Sequence, residues 1–219
     1  MTALLLAAVA QAKAKAQRVH CENNLRQLGI GIQVILTDDH GYPPFFENKY
    51  SSWIDQVAFE GLGMSKSITN FVRVGVWHCP ASLTPNPQFF STNSIFLSYG
   101  YNAHGVRDDG DNVNALGLLG HIDPVSGSVT PIREAEVRVP SQMMVVGESF
   151  QGRVSFDHQK LNDMLKYWNL YRHQGHANAV FCDGHVESPT LNFLFSDTSD
   201  EALSRWNRDH LPHRERLAP

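Results

Sequence analysis

The first forty residues carry one continuous helical pattern, and no other feature constrains the fold as strongly. Residues 3–17 consist mainly of alanine, leucine, lysine and glutamine, which favour the helix. Over residues 19–35, apolar side chains recur every three or four positions, which is typical of an amphipathic helix. Gly41 and the prolines Pro43 and Pro44 then end the pattern. About 35 residues at ~1.5 Å each predict a rod about 50 Å long.

The two halves of this predicted helix differ in what they can pack against. The C-terminal half has a clear apolar stripe, which can pack on a globular head. The N-terminal half does not separate apolar and polar residues onto two faces, and we expect it to project from the head. A helix that is frayed at its start is the alternative. The longest apolar run, residues 3–10, is too short to cross a membrane, which needs about 20 residues.

The rest of the chain predicts a β-rich head, because short apolar segments alternate with glycine, proline, asparagine and aspartate. We therefore predict an α+β protein with an N-terminal helix at residues 1–38 and a loop-rich head at residues 39–219. The segments predicted to be strands are 74–79, 95–101, 143–148 and, as hairpin partner of the last, 153–157. A helical turn is predicted at 53–57, a loop-rich region at 102–127, and a short helix with a tail at 198–219.

The sharpest local signal in the head is the dipeptide Asp183-Gly184, which stands between strand-like segments at 178–182 and 185–188. Asp-Gly between two strands is typical of a two-residue type I′ turn, in which both central residues have positive φ. A β-hairpin is therefore predicted here.

The composition is that of a folded, slightly acidic chain. Of 219 residues, 42% are hydrophobic and 18% charged, which excludes an intrinsically disordered protein. The formal net charge is −4. Without a basic excess the chain cannot hold a polyanion by counterion release, so no nucleic-acid partner is expected.

Eleven histidines raise the question of a metal site. The weak candidate ligands fall within thirteen residues of one another and are His173, His176, Asp183 and His185. The alternative is that His173 hydrogen-bonds the hairpin backbone and that Asp183 only serves the turn.

Calcium is the other metal to consider. Asp108, Asp109 and Asp111 resemble part of a calcium loop, but Gly120 stands where an EF-hand needs its glutamate. The polar run 196–201 offers oxygen ligands and equally resembles the start of a helix. The cofactor prediction is therefore limited to calcium or zinc at weak sites.

No catalytic motif is present in the sequence. It contains neither a Gly-x-Ser-x-Gly elbow nor a Gly-x-x-x-x-Gly-Lys-Ser/Thr phosphate loop, and Gly29-x-Gly31 lies inside the predicted helix. His78 beside Cys79 in sequence does not place an imidazole on the thiol. We therefore expect no catalytic residues and a protein that is not an enzyme.

The three cysteines are interpreted as structural. Cys21 lies on the helix stripe and Cys79 at the end of a predicted strand, so a disulfide between them would clamp helix to head in an oxidising compartment. In the chain-entropy model this bond contributes about 3–4 kcal/mol. Two reduced thiols are the alternative, and His20-Cys21 with His78-Cys79 would then form a second nitrogen and sulfur ligand set. Cys182 is predicted to be a small buried side chain.

Several segments, in their order along the chain, resemble one family. Residues 12–29, AKAKAQRVHCENNLRQLG, resemble the lower part of the long helix in prepilin-like proteins of the type II secretion pseudopilin group. His173, followed after nine residues by Asp183-Gly184, matches the H-x9-DG motif of one C-terminal class of these proteins. Further segments similar to that group are WHCPA at 77–81, SYGYN at 98–102, Pro140-Ser141, and WNRDH at 206–210.

The resemblance implies a pilin-like fold, in which the lower half of a long helix packs on an antiparallel sheet. It also implies a filament or pseudopilus subunit of the cell envelope, on the periplasmic side, whose partners are other pilin-like subunits bound through the upper half of the helix. Family members have a leader and an apolar anchor, and Met1-Thr2-Ala3 does not match that start. We therefore expect membrane attachment only through a segment upstream of this sequence.

Three functional hypotheses follow. The first is a structural, non-enzymatic pseudopilin-like subunit that serves protein transport. The second is a soluble or envelope-attached module of the same fold that binds a ligand or a secreted protein through the loop at 102–127. The third is a metal-dependent enzyme that uses the histidines around the Asp183-Gly184 turn.

Overall fold

The architecture is taken from a computed structural model, which describes residues 2–48, 51–66, 75–82, 97–106, 112–149, 153–156 and 173–217. The first element, α1, is a single helix over Thr2–Asp39. It ends at His40, which adopts the left-handed conformation with φ 52° and donates its backbone N–H to the Leu36 carbonyl. The stop signal is therefore His40 itself, one residue before the predicted glycine.

The two halves of α1 have different environments. The C-terminal half forms one side of the main hydrophobic core, and its fully or almost fully buried residues are Cys21, Leu25, Leu28, Ile32, Ile35 and Leu36. Residues 5–13 are exposed to solvent. No helix in the part of the chain that the structure describes is long and apolar enough to cross a membrane.

Close approach explains the glycines inside α1. A Cβ atom on Gly29 would lie 2.7 Å from Cγ2 of Val180, which is too close for two carbons. A Cβ atom on Gly61 would collide with the backbone carbonyl of Gly31. Gly61 closes a π-helix at Val57–Gly61, which follows the short helix α2 at Trp53–Gln56. The glycines therefore let α1 lie directly against the head.

The head is organised around a five-stranded sheet. Its strands are β3 (Tyr99–Val106), β6 (Met144–Glu148), β7 (Arg153–Phe156), β8 (Ala179–Phe181) and β9 (Val186–Glu187). They lie in the order β7-β3-β6-β8-β9. Two small antiparallel pairs form separate sheets, namely β1 (Phe46–Asn48) with β2 (Ser51–Ser52), and β4 (His121–Ile122) with β5 (Val129–Thr130). The long helix and the sheet together make an α+β protein, as the sequence predicts.

The sheet is mixed, and the expectation of an antiparallel sheet is wrong at one pair of strands. β3 pairs with β6 in the antiparallel sense but with β7 in the parallel sense. The prediction that β7 forms a hairpin with β6 is also wrong. Both edges of β6 are occupied, by β3 and β8, and β7 pairs instead with the outer edge of β3.

Two further strand predictions need correction. The predicted strand at 74–79 contains a 3₁₀ turn at Gly75–Trp77, because Gly75 has φ 60° and turns the chain; position 74 lies outside the described residues. β3 begins at Tyr99 and continues through Val106, into the region predicted to be loop. All eight residues of β3 are buried, so this strand lacks the alternation that marks a half-exposed one. Positions 95 and 96 lie outside the described residues.

The predicted hairpin is confirmed, with a different turn. β8 and β9 pair antiparallel, and Gly184 has φ 89°, whereas Asp183 does not have a positive φ. Gly184 N–H donates to the Phe181 carbonyl and Phe181 N–H donates to the His185 carbonyl, both at 2.9 Å. These bonds define a three-residue loop with a glycine bulge, instead of a type I′ turn.

The C-terminal segment completes the second hydrophobic cluster. Two short helices, α3 (Leu191–Phe195) and α4 (Asp200–Ser204), pack Phe195 and Leu203 near the buried ring of Trp206. The short helix predicted within 198–219 is therefore confirmed as α4. Both are capped by hydroxyl side chains, Thr190 and Ser199.

Asn207 and Arg208 then fasten the end of the chain to the sheet. The Asn207 Oδ1 accepts a hydrogen bond from Val106 N–H at 2.9 Å, and the Arg208 guanidinium donates to the carbonyls of Ala115 and Gly117. The C-terminal segment is thereby held to the end of β3 and to the loop that follows it.

Candidate functional site

Four residues from distant parts of the chain meet between α1 and the sheet, and we call them the buried cluster: Cys21, Cys79, Glu148 and His173. Cys21 lies on α1, Cys79 follows the 3₁₀ turn, Glu148 ends β6, and His173 precedes β8. Cys21 and Cys79 form a disulfide with their Cα atoms 5.2 Å apart. All four residues are buried. The sulfur pair expected from the sequence thus lies beside an imidazole and a carboxylate.

Glu148 and His173 form a direct pair inside the core. The Nε2 of His173 lies 2.7 Å from Oε1 of Glu148, and both side chains are 0% exposed. Because the carboxylate can only accept, the Nε2–H of His173 is the donor in this contact. In the described part of the chain, Nδ1 has no hydrogen-bond partner. The Sγ of Cys79 lies 3.4 Å from Nε2 of His173 and 3.7 Å from Oε1 of Glu148.

Asn178, just before β8, holds the carboxylate in place. Its backbone N–H donates to Oε2 of Glu148 at 3.2 Å, and its amide Nδ2 donates to Oε1 at 3.3 Å. The Ser188 hydroxyl donates to Oδ1 of Asn178 at 2.6 Å and so fixes the amide. Glu148 therefore receives hydrogen bonds on both oxygens, which offset part of the cost of burying a carboxylate.

A second set of contacts holds the disulfide segments together. The amide of Asn24 donates to the His78 carbonyl at 2.8 Å and to the Tyr99 hydroxyl at 3.3 Å. Gln17 donates to the Pro80 carbonyl at 3.0 Å. Helix α1 is therefore attached to residues 78–80 by polar contacts on both sides of the sulfur bridge.

The metal candidates chosen from the sequence do not gather at one point. His176 donates from Nδ1 to the Ser188 carbonyl at 2.8 Å, which is the backbone contact that the sequence suggested for His173. Asp183 and His185 form a half-exposed pair at the hairpin loop, and His185 also contacts Glu187 at 3.2 Å. Among the described residues, the buried cluster is the one group of three or more His, Cys, Asp or Glu ligands within 4.8 Å of one another.

The structure supports neither the second nitrogen and sulfur ligand set nor a calcium site at 196–201. His20 and His78 are exposed, so they do not join their neighbouring cysteines. Residues 108, 109 and 111 lie outside the described residues. Within 196–201, Ser199 caps α4 and accepts a hydrogen bond from Ala202 N–H at 3.3 Å, as expected for an ordinary helix start.

Glu148 is the member of the cluster that the sequence did not reveal. It ends a run of four buried residues in β6, and in the sequence it resembles the polar residue that closes a strand. A carboxylate directly after Val145-Val146-Gly147 was the available signal, since ionised side chains are rarely buried without a partner.

A groove runs along α1 beside the cluster. It has a volume of about 470 Å³, and the described residues that line it are Gln11, Ala14, Lys15, Arg18, His173 and Gln174. Arg18 is already paired with Glu22 at 3.0 Å, whereas no ion pair of Lys15 occurs in the described part of the chain. The groove therefore presents a polar wall with a cationic side chain.

The thiol of Cys182, the remaining cysteine, has low reactivity. It is 2% exposed and has no disulfide partner. Burial raises the pKa of its thiol to about 12, because the thiolate would be poorly solvated. This agrees with the prediction of a small buried side chain.

No protein-family model, no curated protein and no solved structure matches this chain. The function has to be inferred from the motifs in the sequence and from the contacts of the chain itself.

Proposed function

We propose that the chain is a structural, non-enzymatic subunit of a cell-envelope filament or secretion-type assembly, similar to pseudopilins. One observation carries this proposal, namely that α1 is attached to the head by its C-terminal half and exposes apolar side chains from its N-terminal half. Leu5, Leu6 and Val9 are 66%, 71% and 65% exposed. A surface of this kind on a protruding helix is suited to packing against other helices.

The energetics favour a helix that is completed by neighbours. Complete burial of a leucine or valine side chain contributes about 1.5–3 kcal/mol, so three such residues supply a substantial part of a subunit contact. An isolated helix of ~12–15 residues is only marginally stable in water. Packing against equivalent helices would stabilise both the contact and the helix.

The histidines support a structural role as well. His173 is enclosed with Glu148, His176 donates to the backbone carbonyl of Ser188, and His185 directly follows the loop of the β8–β9 hairpin and contacts Asp183. Each of these imidazoles thus organises the segment that carries the H-x9-DG motif.

Site-specific photo-crosslinking in the source organism tests the proposal. A photo-reactive amino acid at position 9 should form crosslinks, in the envelope fraction, to the N-terminal helix of another subunit. The control is the same amino acid at Val125, which is 94% exposed in the β4–β5 turn. Equal crosslinking from the two positions, or recovery of the chain outside the envelope fraction, would contradict the proposal.

The groove along α1 supports a second candidate function, a module that binds a ligand or a secreted partner. The loop at 102–127 is less suitable, because residues 115 and 117–120 are buried and the Leu116, Leu118 and Leu119 amides donate hydrogen bonds to β3. Lys15 gives the groove a preference for an acidic partner.

Calorimetric titration with a short acidic peptide distinguishes this candidate. Lys15→Glu should abolish the binding heat, whereas Lys13→Glu, an exposed position outside the groove on the same helix, should retain it. An absence of binding by the wild-type chain would remove this candidate and leave the structural subunit untouched.

A further inference from the structure

We propose that the buried cluster binds one Zn²⁺ ion when the Cys21–Cys79 disulfide is reduced. The ligands are the two thiolates, Nε2 of His173 and a carboxylate oxygen of Glu148. The proposal is independent of filament assembly, because all four ligands lie between the C-terminal half of α1 and the sheet, away from the exposed residues 5–13.

Two of the six ligand-to-ligand distances already match those of a zinc tetrahedron. At usual zinc bond lengths, a sulfur lies about 3.5 Å from a nitrogen or oxygen ligand, and two sulfurs lie about 3.8 Å apart. The observed separations from Cys79 Sγ are 3.4 Å to His173 Nε2 and 3.7 Å to Glu148 Oε1. These two edges therefore need almost no change.

Two other edges must widen. Nε2 of His173 and Oε1 of Glu148 are 2.7 Å apart, and a tetrahedron needs about 3.3 Å. Opening the disulfide requires the sulfurs to separate by about 1.7 Å. With the Cα atoms 5.2 Å apart, we expect rotation of the Cys21 side chain to supply this movement while the Sγ of Cys79 keeps its place.

The surroundings of the cluster have the features of a structural zinc site. The ligands are fully enclosed, so water does not compete for the ion. Asn178 orients the Glu148 carboxylate through two hydrogen bonds, as groups around metal ligands commonly do. Two sulfurs with one imidazole favour zinc over calcium, which binds oxygen ligands.

The reaction balances in two steps. A dithiol reductant supplies two electrons and two protons, becomes a cyclic disulfide, and leaves Cys21 and Cys79 as thiols. Zn²⁺ then displaces both thiol protons into solvent and the Nε2 proton of His173, which moves to Nδ1. Two protons are released per ion, and the site of two thiolates, one carboxylate and Zn²⁺ carries a net charge of −1.

The consequence is a clamp that holds in both redox conditions. The disulfide joins α1 to the segment after the 3₁₀ turn under oxidising conditions, and the ion joins the same two residues under reducing conditions. The ion also ties them to the ends of β6 and the start of the β8–β9 hairpin through Glu148 and His173.

Cobalt binding by the full chain tests the proposal. Protein treated with a dithiol, freed of excess reductant under nitrogen and titrated with Co²⁺ should develop the absorption of a tetrahedral cobalt–thiolate centre at about one equivalent. Zn²⁺ should displace Co²⁺ and abolish the signal, and Zn²⁺ added to metal-free reduced protein should release two protons per chain. Oxidised protein should show neither effect. If the reduced chain has unfolded, Zn²⁺ should refold it, as followed by circular dichroism.

Variants locate the site. Cys182→Ala should keep the cobalt spectrum, whereas Cys79→Ser and His173→Ala should lose it. Asn178→Ala should weaken zinc binding by about 10–100-fold, because the carboxylate loses its support. Reduced protein that binds no Co²⁺, an unfolded reduced chain that Zn²⁺ fails to refold, or a spectrum that disappears with Cys182→Ala would overturn the proposal.

Discussion

Glu148 and His173 are the residues whose positions depend most on each other. Both side chains are completely enclosed, and removing a carboxylate from water costs several kcal/mol unless its partners compensate. The imidazole of His173 and two donors from Asn178 provide this compensation. The pair is therefore stable as a unit and vulnerable to the loss of either member.

The first prediction concerns this pair. Glu148→Ala should lower the free energy of unfolding by about 3–5 kcal/mol, because it leaves a buried imidazole and the Asn178 donors without an acceptor. Urea unfolding of oxidised protein measures the change. Glu60→Ala, at an exposed position of the π-helix, should change it by less than about 0.5 kcal/mol. Equal effects from the two substitutions would show that the pair has no special role.

The second prediction concerns the hairpin loop. Burial by itself lowers the pKa of His185, but hydrogen bonds and charges from Asp183 and Glu187 outweigh it and raise the pKa above its ordinary value. Asp183→Asn should therefore lower the pKa, as measured by NMR titration of the imidazole. Asp123→Asn, in the β4–β5 turn, should leave it unchanged.

The sign of the linked stability follows from the raised pKa. His185 contributes its full stabilisation below its unfolded pKa of ~6.5, and this contribution disappears as the pH rises through the higher folded value. The hairpin should therefore be slightly less stable at pH 8 than at pH 6. Because the side chain is 37% exposed, solvent screening keeps the change small. A His185 pKa below that of a model peptide would contradict this account.

Among the secondary-structure elements, α1 shows how the spacing of apolar residues determines which side chains are buried against the head. Leu28 is 0% exposed against the sheet, while Ile30, two residues further on, is 56% exposed. The two positions lie on opposite sides of the same helix, so they separate the effect of packing from that of helix propensity.

The third prediction uses this contrast. Leu28→Ala should destabilise the protein by about 3 kcal/mol, because it leaves a cavity between α1 and the sheet. Ile30→Ala should have an effect within about 0.5 kcal/mol, since its side chain is largely in water. Thermal unfolding of the two variants makes the comparison, and a similar melting temperature for both would show that α1 is not part of the core.

Local patterns predicted α1 and the β8–β9 hairpin correctly, because each is encoded within a short stretch of sequence. The sense of pairing of β7 was not predictable in this way, since it depends on which edge of β3 remains open. The strand predicted at 95–101 ends too early, because the polar region that begins at Asn102 was predicted to be a loop. In the structure, Asn102 is buried and donates to the carbonyls of Met144 and Trp206, both at 2.8 Å.

The same distinction applies to the buried cluster. The sequence marked Cys21, Cys79 and His173 individually, because each stands in a recognisable motif. It did not bring His173 to the sulfurs, since sequence spacing grouped it with His176 and Asp183. Glu148 was missed because its role depends on contacts with residues more than 20 positions away.

For the molecule as a whole, the disulfide and the core predict how the three thiols respond to a labelling reagent. The fourth prediction is that no cysteine reacts in the native, oxidised chain. One cysteine should react after denaturation, and three after denaturation with reduction, because only Cys182 is free. Mass spectrometry of the labelled protein counts the modified residues. Labelling of Cys21 or Cys79 without reductant would show that they are not joined.

The contact between α1 and the β8–β9 hairpin also determines the order in which the chain can fold during synthesis. Gln33 donates to the Cys182 carbonyl at 2.7 Å across 149 residues of sequence. At ribosomal rates of about 5–20 residues per second, roughly 7–30 s separate the appearance of these two partners. During this interval the part of α1 that packs on the hairpin, such as Gly29 beside Val180, remains uncovered. The nascent chain therefore keeps part of its apolar helix surface exposed until the hairpin emerges, and such surface favours aggregation.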